Sequence, residues 1–180
     1  MTEEAVESSV PEAPGGNPVA FVELVRQHQS MVFSLAYSSL RDRSKAEEVA
    51  QDVFLELHRN LASLQSPAHV VNWLRRVTAH RVIDQQRKLR FLAPLVEIVR
   101  EPAAPDTQRD PMLSEVLGQL VASLPPKQRM VMILRFQEDL DVGDIARTLD
   151  MPERRVRSHL QWSLALLREK LSQRGIGVSA

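Results

Sequence analysis

The side chains that could do chemistry in this chain are mostly charged. There are 23 basic and 23 acidic residues, five histidines and no cysteine. His28, His58, His69, His80 and His159 fall at no metal-ligand spacing. No glycine-rich phosphate loop and no nucleophile elbow occurs. The sequence therefore predicts no enzyme, no cofactor and no metal site. What remains is the sign and spacing of the cations. Asn72 to Arg90, "NWLRRVTAHRVIDQQRKLR", carries Arg75, Arg76, Arg81, Arg87, Lys88 and Arg90 against a single anion, Asp84, in a chain of zero formal net charge. Arg76, His80, Ile83, Arg87 and Arg90 recur at intervals of four, three, four and three residues, which places them along one side of a helix. At 1.5 Å per residue that strip is about 21 Å long. Cations so arranged can track the phosphates of a nucleic-acid strand. A merely solvated face interleaves both signs, so the imbalance favours DNA contact. Trp73, Leu74 and Val77 lie on the other side and are expected in the core. Arg81 and Asp84, three apart, are expected to pair with each other.

A second cationic set lies in "DVGDIARTLDMPERRVRSHLQW", Asp141 to Trp162. Asp141 can cap a helix, with Asp144 in its first turn. Ile145, Ala146 and Leu149 form an inner face. Asp150-Met151-Pro152 stops the helix, and the next one packs through Val156, Leu160, Leu164, Leu167 and Leu171. Small Ala146, a turn residue at Asp150 and β-branched Val156 hold the spacing of a helix-turn-helix. Its second helix offers Arg154, Arg155, Arg157, Ser158 and Gln161 near the N-terminal half, where such helices meet base edges in the major groove. Arginine can read guanine and glutamine adenine, while other cations hold phosphates.

A third surface is less explicit. In "KAEEVAQDVFLELHR", Lys45 to Arg59, the residues Ala46, Val49, Ala50, Val53, Phe54 and Leu57 form an apolar stripe. Leu55 falls nearly opposite, flanked by Glu48, Gln51, Asp52 and Arg59. A partner-binding face has this composition, yet one exposed leucine needs no explanation. On pattern alone the plainer reading, a single exposed leucine with no partner, is the better one.

The elements that position these residues are all helical. Hydrophobic residues make up 43% of the 180 and charged ones 26%, a globular balance. Residues 1–18 hold four glutamates, no cation, and Pro, Gly and Ser, so they are expected to be a disordered tail and not a signal peptide. Residues 19–91 read as one helical domain. Residues 92–111 are proline-rich and read as a flexible linker able to extend to about 60 Å. Residues 112–174 form a second helical domain containing the helix-turn-helix, and 175–180 a short tail. The expected fold class is therefore all-α, two small helical domains on a tether. No run reaches the roughly 18 apolar residues of a membrane span. With no cysteine, the chain fits a reducing cytoplasm.

Together these segments resemble the extracytoplasmic-function (ECF) sigma factors of bacterial RNA polymerase. "AEEVAQDVF" is similar to that family's Ala-Glu-Asp-Leu-Val-Gln-Glu-Val-Phe block. "NWLRRVTAHRVIDQQRK" is similar to its Trp-Leu…Asn…Asp…Arg block, and "LPPKQRMVMILRF" to the start of its C-terminal domain. The resemblance covers Phe21–Phe91 and Met112–Leu171. It implies that Glu48, Gln51, Asp52 and Leu55 dock on the clamp helices of the polymerase β′ subunit. It implies that the basic helix and the loop before it, Leu64 to Val71 with Ser66 and His69, engage the −10 element as an opened strand. A flipped base and phosphate contacts would then offset a few kcal/mol of unstacking. The helix-turn-helix would read the −35 duplex, next to the polymerase β flap. An anti-sigma factor is a further candidate partner.

Four departures from the family pattern bear on promoter choice. His80 stands where asparagine is common, which makes −10 binding responsive to pH. Arg154-Arg155 replaces Gly-Thr, Trp162-Ser163 replaces Arg-Ala, and Asp150 takes a turn position where glycine is common. Two alternatives compete with this reading. A stand-alone helix-turn-helix regulator would leave the surfaces of the first domain without a role. A sigma-like mimic that binds only an anti-sigma factor would not need cations on both DNA-facing helices.

Overall fold

The structure, a computed structural model, describes residues 18–64, 66–92 and 111–174. The expected tail and linker fall, for residues 1–17, 93–110 and 175–180, outside the described residues. Within them are seven α-helices and one short 3-10 turn: α1 (Pro18–Leu40), α2 (Arg43–Asn60), the turn Leu61–Ser63, α3 (Pro67–Leu92), α4 (Pro111–Ala122), α5 (Pro126–Phe136), α6 (Val142–Thr148) and α7 (Glu153–Gln173). No strand occurs among the described residues.

Local chemistry sets the breaks. α1 stops where Arg41 takes a left-handed φ of 55°. Asp42 then caps α2, its carboxylate accepting from the Lys45 amide at 3.0 Å and from the Lys45 ammonium at 2.7 Å. Burial alone would raise the Asp42 carboxyl, but the bonds from Lys45 outweigh it and hold it below the usual range. α5 opens on Pro125-Pro126, the second at the first helical position, where a missing N–H costs nothing. Asp141 caps α6 as expected, accepting from the Asp144 amide at 2.7 Å. α6 ends in a Schellman turn. Met151 N–H donates to the Ala146 carbonyl at 3.1 Å across Asp150, which sits at φ 48° in the region that favours glycine.

The first three helices bury the anticipated stripe. Ala46, Val49, Val53, Phe54 and Leu57 of α2 are buried, as are Val32 and Leu35 of α1 and Leu74, Ala79 and Val82 of α3. Trp73 and Val77 are partly buried against them.

The second half does not form an isolated core. Met130, Val131, Met132, Ile133 and Leu134, five consecutive residues of α5, are all buried. A helix buried all round must be covered on every side. Here α1 and α3 cover α5 on one side, and α4, α6 and α7 on the others. One continuous apolar cluster therefore runs from Leu35 and Leu74 through Met130 and Leu134 to Ile145 and Val156. A smaller cluster, Leu120, Leu124, Met132, Leu167 and Leu171, closes α4 on α7.

Candidate nucleic-acid interface

The outward face of α2 carries the residues expected to meet a partner. Glu48, Gln51 and Asp52 are exposed, and Leu55 is 57% exposed although it is a large apolar side chain. Beside Leu55 and Gln51 lies an open groove of about 770 Å³ lined by Phe21, Val25 and Phe33 of α1 and by Ala50 and Phe54 of α2. Leucine and groove together make an apolar surface rimmed by acids and amides, a composition suited to protein contact.

The basic helix α3 begins earlier than its sequence pattern indicates. Pro67 starts it, so most of the expected loop from Leu64 to Val71 is its first turn. Ser66 acts as its cap, with Oγ accepting from the His69 amide at 3.2 Å. Proline at the first helical turn and serine before it are the signals that locate this start.

The strip itself divides. Arg76, Arg87 and Arg90 are exposed and His80 is half-buried. Ile83 is only 4% exposed and packs into the core beneath the strip, so it does not belong to an exposed contact surface. The spacing placed it on the charged side, but that side turns inward there because α3 is covered on more than one flank. The expected Arg81–Asp84 pair does not form. Arg81 reaches across to α2, 2.7 Å from Glu56 and 3.7 Å from Asp52, and the nearby carboxylates hold its guanidinium charged. Asp84 instead accepts from Arg87 at 3.4 Å. A carboxylate on a neighbouring helix out-competes one on the same helix, because Arg81 reaches it without bending back along its own turn.

The helix-turn-helix is formed by α6 and α7. Ile145, Leu149 and Val156 are buried at their junction. Arg154, Arg155, Arg157, Ser158 and Gln161 all lie exposed on the outer side of α7. Arg157 is held by Glu153 at 2.6 Å, and Ser158 Oγ donates to the Arg154 carbonyl at 3.0 Å. Trp162 is 74% exposed on the same side.

Sequence pattern does not reveal how the two halves meet. Arg129 of α5 is buried and donates to the Ser39 carbonyl of α1 at 2.6 Å, to Leu124 at 3.1 Å and to Ala122. Gln86 of α3 donates to the same Ser39 carbonyl at 2.7 Å and to Ser39 Oγ at 2.8 Å. Arg41 pairs with Glu115 at 3.0 Å, its guanidinium packed on Gly118, where a Cβ would lie 2.4 Å from it. On α3, Arg75 pairs with the largely buried Glu138 at 2.9 Å. Arg76 pairs with Asp150 at 2.8 Å, His80 lies 3.8 Å from the same carboxylate, and Arg90 donates to the Leu124 carbonyl at 3.3 Å. A cleft of about 180 Å³ between α3 and α6 brings His69 and Arg76 opposite Asp144 and Arg147.

Among the described residues no group of three His, Asp or Glu side chains is placed to hold a metal ion. No described helix is long and apolar enough to cross a membrane.

Comparison with known proteins identifies this arrangement. Residues 24–91 match the family Sigma-70 region 2, and residues 114–167 match Sigma-70, region 4. Together the matches cover about two thirds of the chain. The ECF RNA polymerase sigma factor SigW of Bacillus subtilis is 24% identical over 180 residues, a match spanning 92% of this chain and 96% of SigW. SigE of Mycolicibacterium smegmatis, another ECF sigma factor, is 31% identical over 84% of this chain and 61% of its own length. The probable sigma factor RfaY of Xanthomonas campestris is 26% identical, but this chain spans only 44% of it. Among solved structures, the sigma factor RpoE in complex with the anti-sigma factor NepR, from Bartonella quintana, shares the fold with a TM-score of 0.71 at 18% identity, covering 85% of this chain and 97% of that one. The chain belongs to the ECF sigma factors, which direct promoter-specific transcription initiation.

Proposed function

We propose that this sigma factor binds core RNA polymerase through α2 and promoter DNA through α3 and α7. Residues 19–91 are the polymerase- and −10-binding unit, and residues 112–174 the −35-binding unit. The observation that carries the reading is the outer face of α2, where Leu55 stands exposed beside an apolar groove and is rimmed by Glu48, Gln51 and Asp52. A stand-alone DNA-binding regulator has no use for that face. The β′ clamp helices are its partner, and the β flap meets the second domain.

At the promoter, Ser66, His69, Arg76, His80, Arg87 and Arg90 hold the opened −10 strand. Ile83 supports them from below. Arg154, Arg155, Arg157, Ser158 and Gln161 enter the major groove of the −35 duplex from the N-terminal half of α7. The protein supplies binding and strand separation, and the bond-forming chemistry belongs to the polymerase. An anti-sigma factor is a natural antagonist, as the relative crystallised with NepR illustrates.

The test is a double substitution, Asp52→Ala with Leu55→Ala, followed by pull-down of core polymerase and a −35 duplex binding assay. Polymerase association is expected to be lost while duplex binding is unchanged. Retained polymerase association would remove α2 as the docking face.

A further inference from the structure

Trp162 stands on the reading side of α7 without a role in the −35 contacts assigned above. We propose that it is a specificity-determining residue for that duplex. Its indole packs on the C5-methyl of a thymine in the major groove, so that this chain selects thymine where an arginine would select guanine. The inference rests on the assignment of α7 to the −35 element.

Three observations carry it. First, Trp162 is 74% exposed, although an indole is among the largest apolar groups a fold can bury. Second, its direction is that of the reading residues. The buried stripe of α7 runs through Val156, Ser163, Leu167 and Leu171. At about 100° per residue Trp162 lies roughly 100° or more from each of these, but within about 20° of Arg155 and about 40° of Ser158. Third, the strip carries the charge of a DNA-facing surface. Arg155 and Ser158 precede Trp162 on it, Arg154 and Gln161 flank it, and all four are exposed. Glu153, at the start of the helix, is neutralised by Arg157 at 2.6 Å. The next acid on that side, Glu169, comes two turns after Trp162 and marks where contact with DNA ends.

An indole on this strip does different chemistry from a guanidinium. It has one N–H donor and no charge, so it neither forks onto guanine O6 and N7 nor neutralises a phosphate. What the major groove offers to an apolar ring is the thymine C5-methyl, which marks one base of each A·T pair. Arg155 to Trp162 is about 10 Å of helix at 1.5 Å per residue, roughly three base-pair steps of 3.4 Å. Trp162 therefore reads at the other end of the site from Arg155. Burying the methyl against the ring adds affinity without releasing a counterion, so this contact is indifferent to salt.

The test is selection from a pool of randomised duplexes by the full chain on core polymerase, comparing wild type with Trp162→Ala, Trp162→Arg and Arg155→Ala. Wild type is expected to enrich thymine at one position, about three base pairs from the position whose preference Arg155→Ala relaxes. Trp162→Ala is expected to lose the thymine preference, and Trp162→Arg to replace it with guanine. On the selected duplex, deoxyuridine in place of that thymine removes only the methyl. It is expected to weaken wild-type binding about three- to fivefold, the worth of burying one such group, and to leave Trp162→Ala unaffected. The salt slope of affinity is expected to be the same for wild type and Trp162→Ala, and steeper by about one for Trp162→Arg. Equal selection by wild type and Trp162→Ala, or an equal loss from deoxyuridine in both, overturns the thymine contact. So does a uniform loss of affinity in Trp162→Ala with unchanged base preference, which would place the indole on the DNA backbone. If Arg155→Ala also selects as wild type does, what fails is instead the assignment of α7 to the −35 element.

Discussion

Arg129 illustrates what one residue does for this structure. Its guanidinium donates to the backbone carbonyls of Ser39, Ala122 and Leu124 from a buried position. It thereby binds the end of α1 to the end of α4. Arginine suits the role because its donors fan out in a plane, whereas a lysine ammonium is a point charge on a flexible stem. Arg129→Lys is expected to destabilise the protein by about 1–3 kcal/mol, the range for leaving buried carbonyls without a donor. A lowered urea midpoint with the helical signal retained at zero urea would be the result; an unchanged midpoint would show that water replaces the bonds. The sequence offers "QRM" in a family block but no hint of the partners, because Ser39 lies 90 residues away. Ile83 fails for a related reason. Spacing assigns a residue to a side of its helix, but only the neighbours decide whether that side is wet.

Among the elements, those with local causes were legible. The apolar stripe of α2, the Asp141 cap and the stop at Asp150–Pro152 each depend on residues within one or two turns. Asp141→Ala is accordingly expected to cost about 1 kcal/mol through the lost cap of α6, measured as a lower melting temperature. The start of α3 at Pro67 was missed, since the charged run after Asn72 drew the boundary inward, although Ser66-Pro67 carries the signal. Two histidines tie elements to pH. Burial, and then Arg75, lowers the His28 pKa; burial, then Arg155 and Lys127, lowers that of His159. The folded state thus binds fewer protons than the unfolded one at these sites. Their contribution is complete above the unfolded value, about 6.5, and is lost as pH falls through the lower folded values. Unfolding free energy is expected to decline between pH 7 and pH 5, and the decline to shrink in His28→Gln with His159→Gln. A pH-independent midpoint over that interval would contradict the burial of both rings.

For the whole molecule, the fold class and the two-part organisation were readable from composition, proline placement and helical period. The packing of one domain on the other was not, because it depends on α5. Its run "MVMIL" reads as an ordinary buried helix in either arrangement, and only the structure places α1 and α3 on its far side. The same packing explains how a neutral chain keeps a basic helix. Glu138, Asp150 and the Leu124 carbonyl, all from the second domain, meet cations of α3. Charge that would otherwise attract nucleic acid without regard to sequence is thus partly neutralised within the molecule. In the proposed function, α2 carries this protein onto polymerase and thereby directs initiation. The most direct measurement is run-off transcription with purified core polymerase on sheared DNA from the protein's own genome, comparing wild type with Asp52→Ala and Leu55→Ala combined. Discrete start sites are expected with the wild-type protein and none with the variant or with core polymerase alone. Start sites of equal yield with the variant would contradict the account.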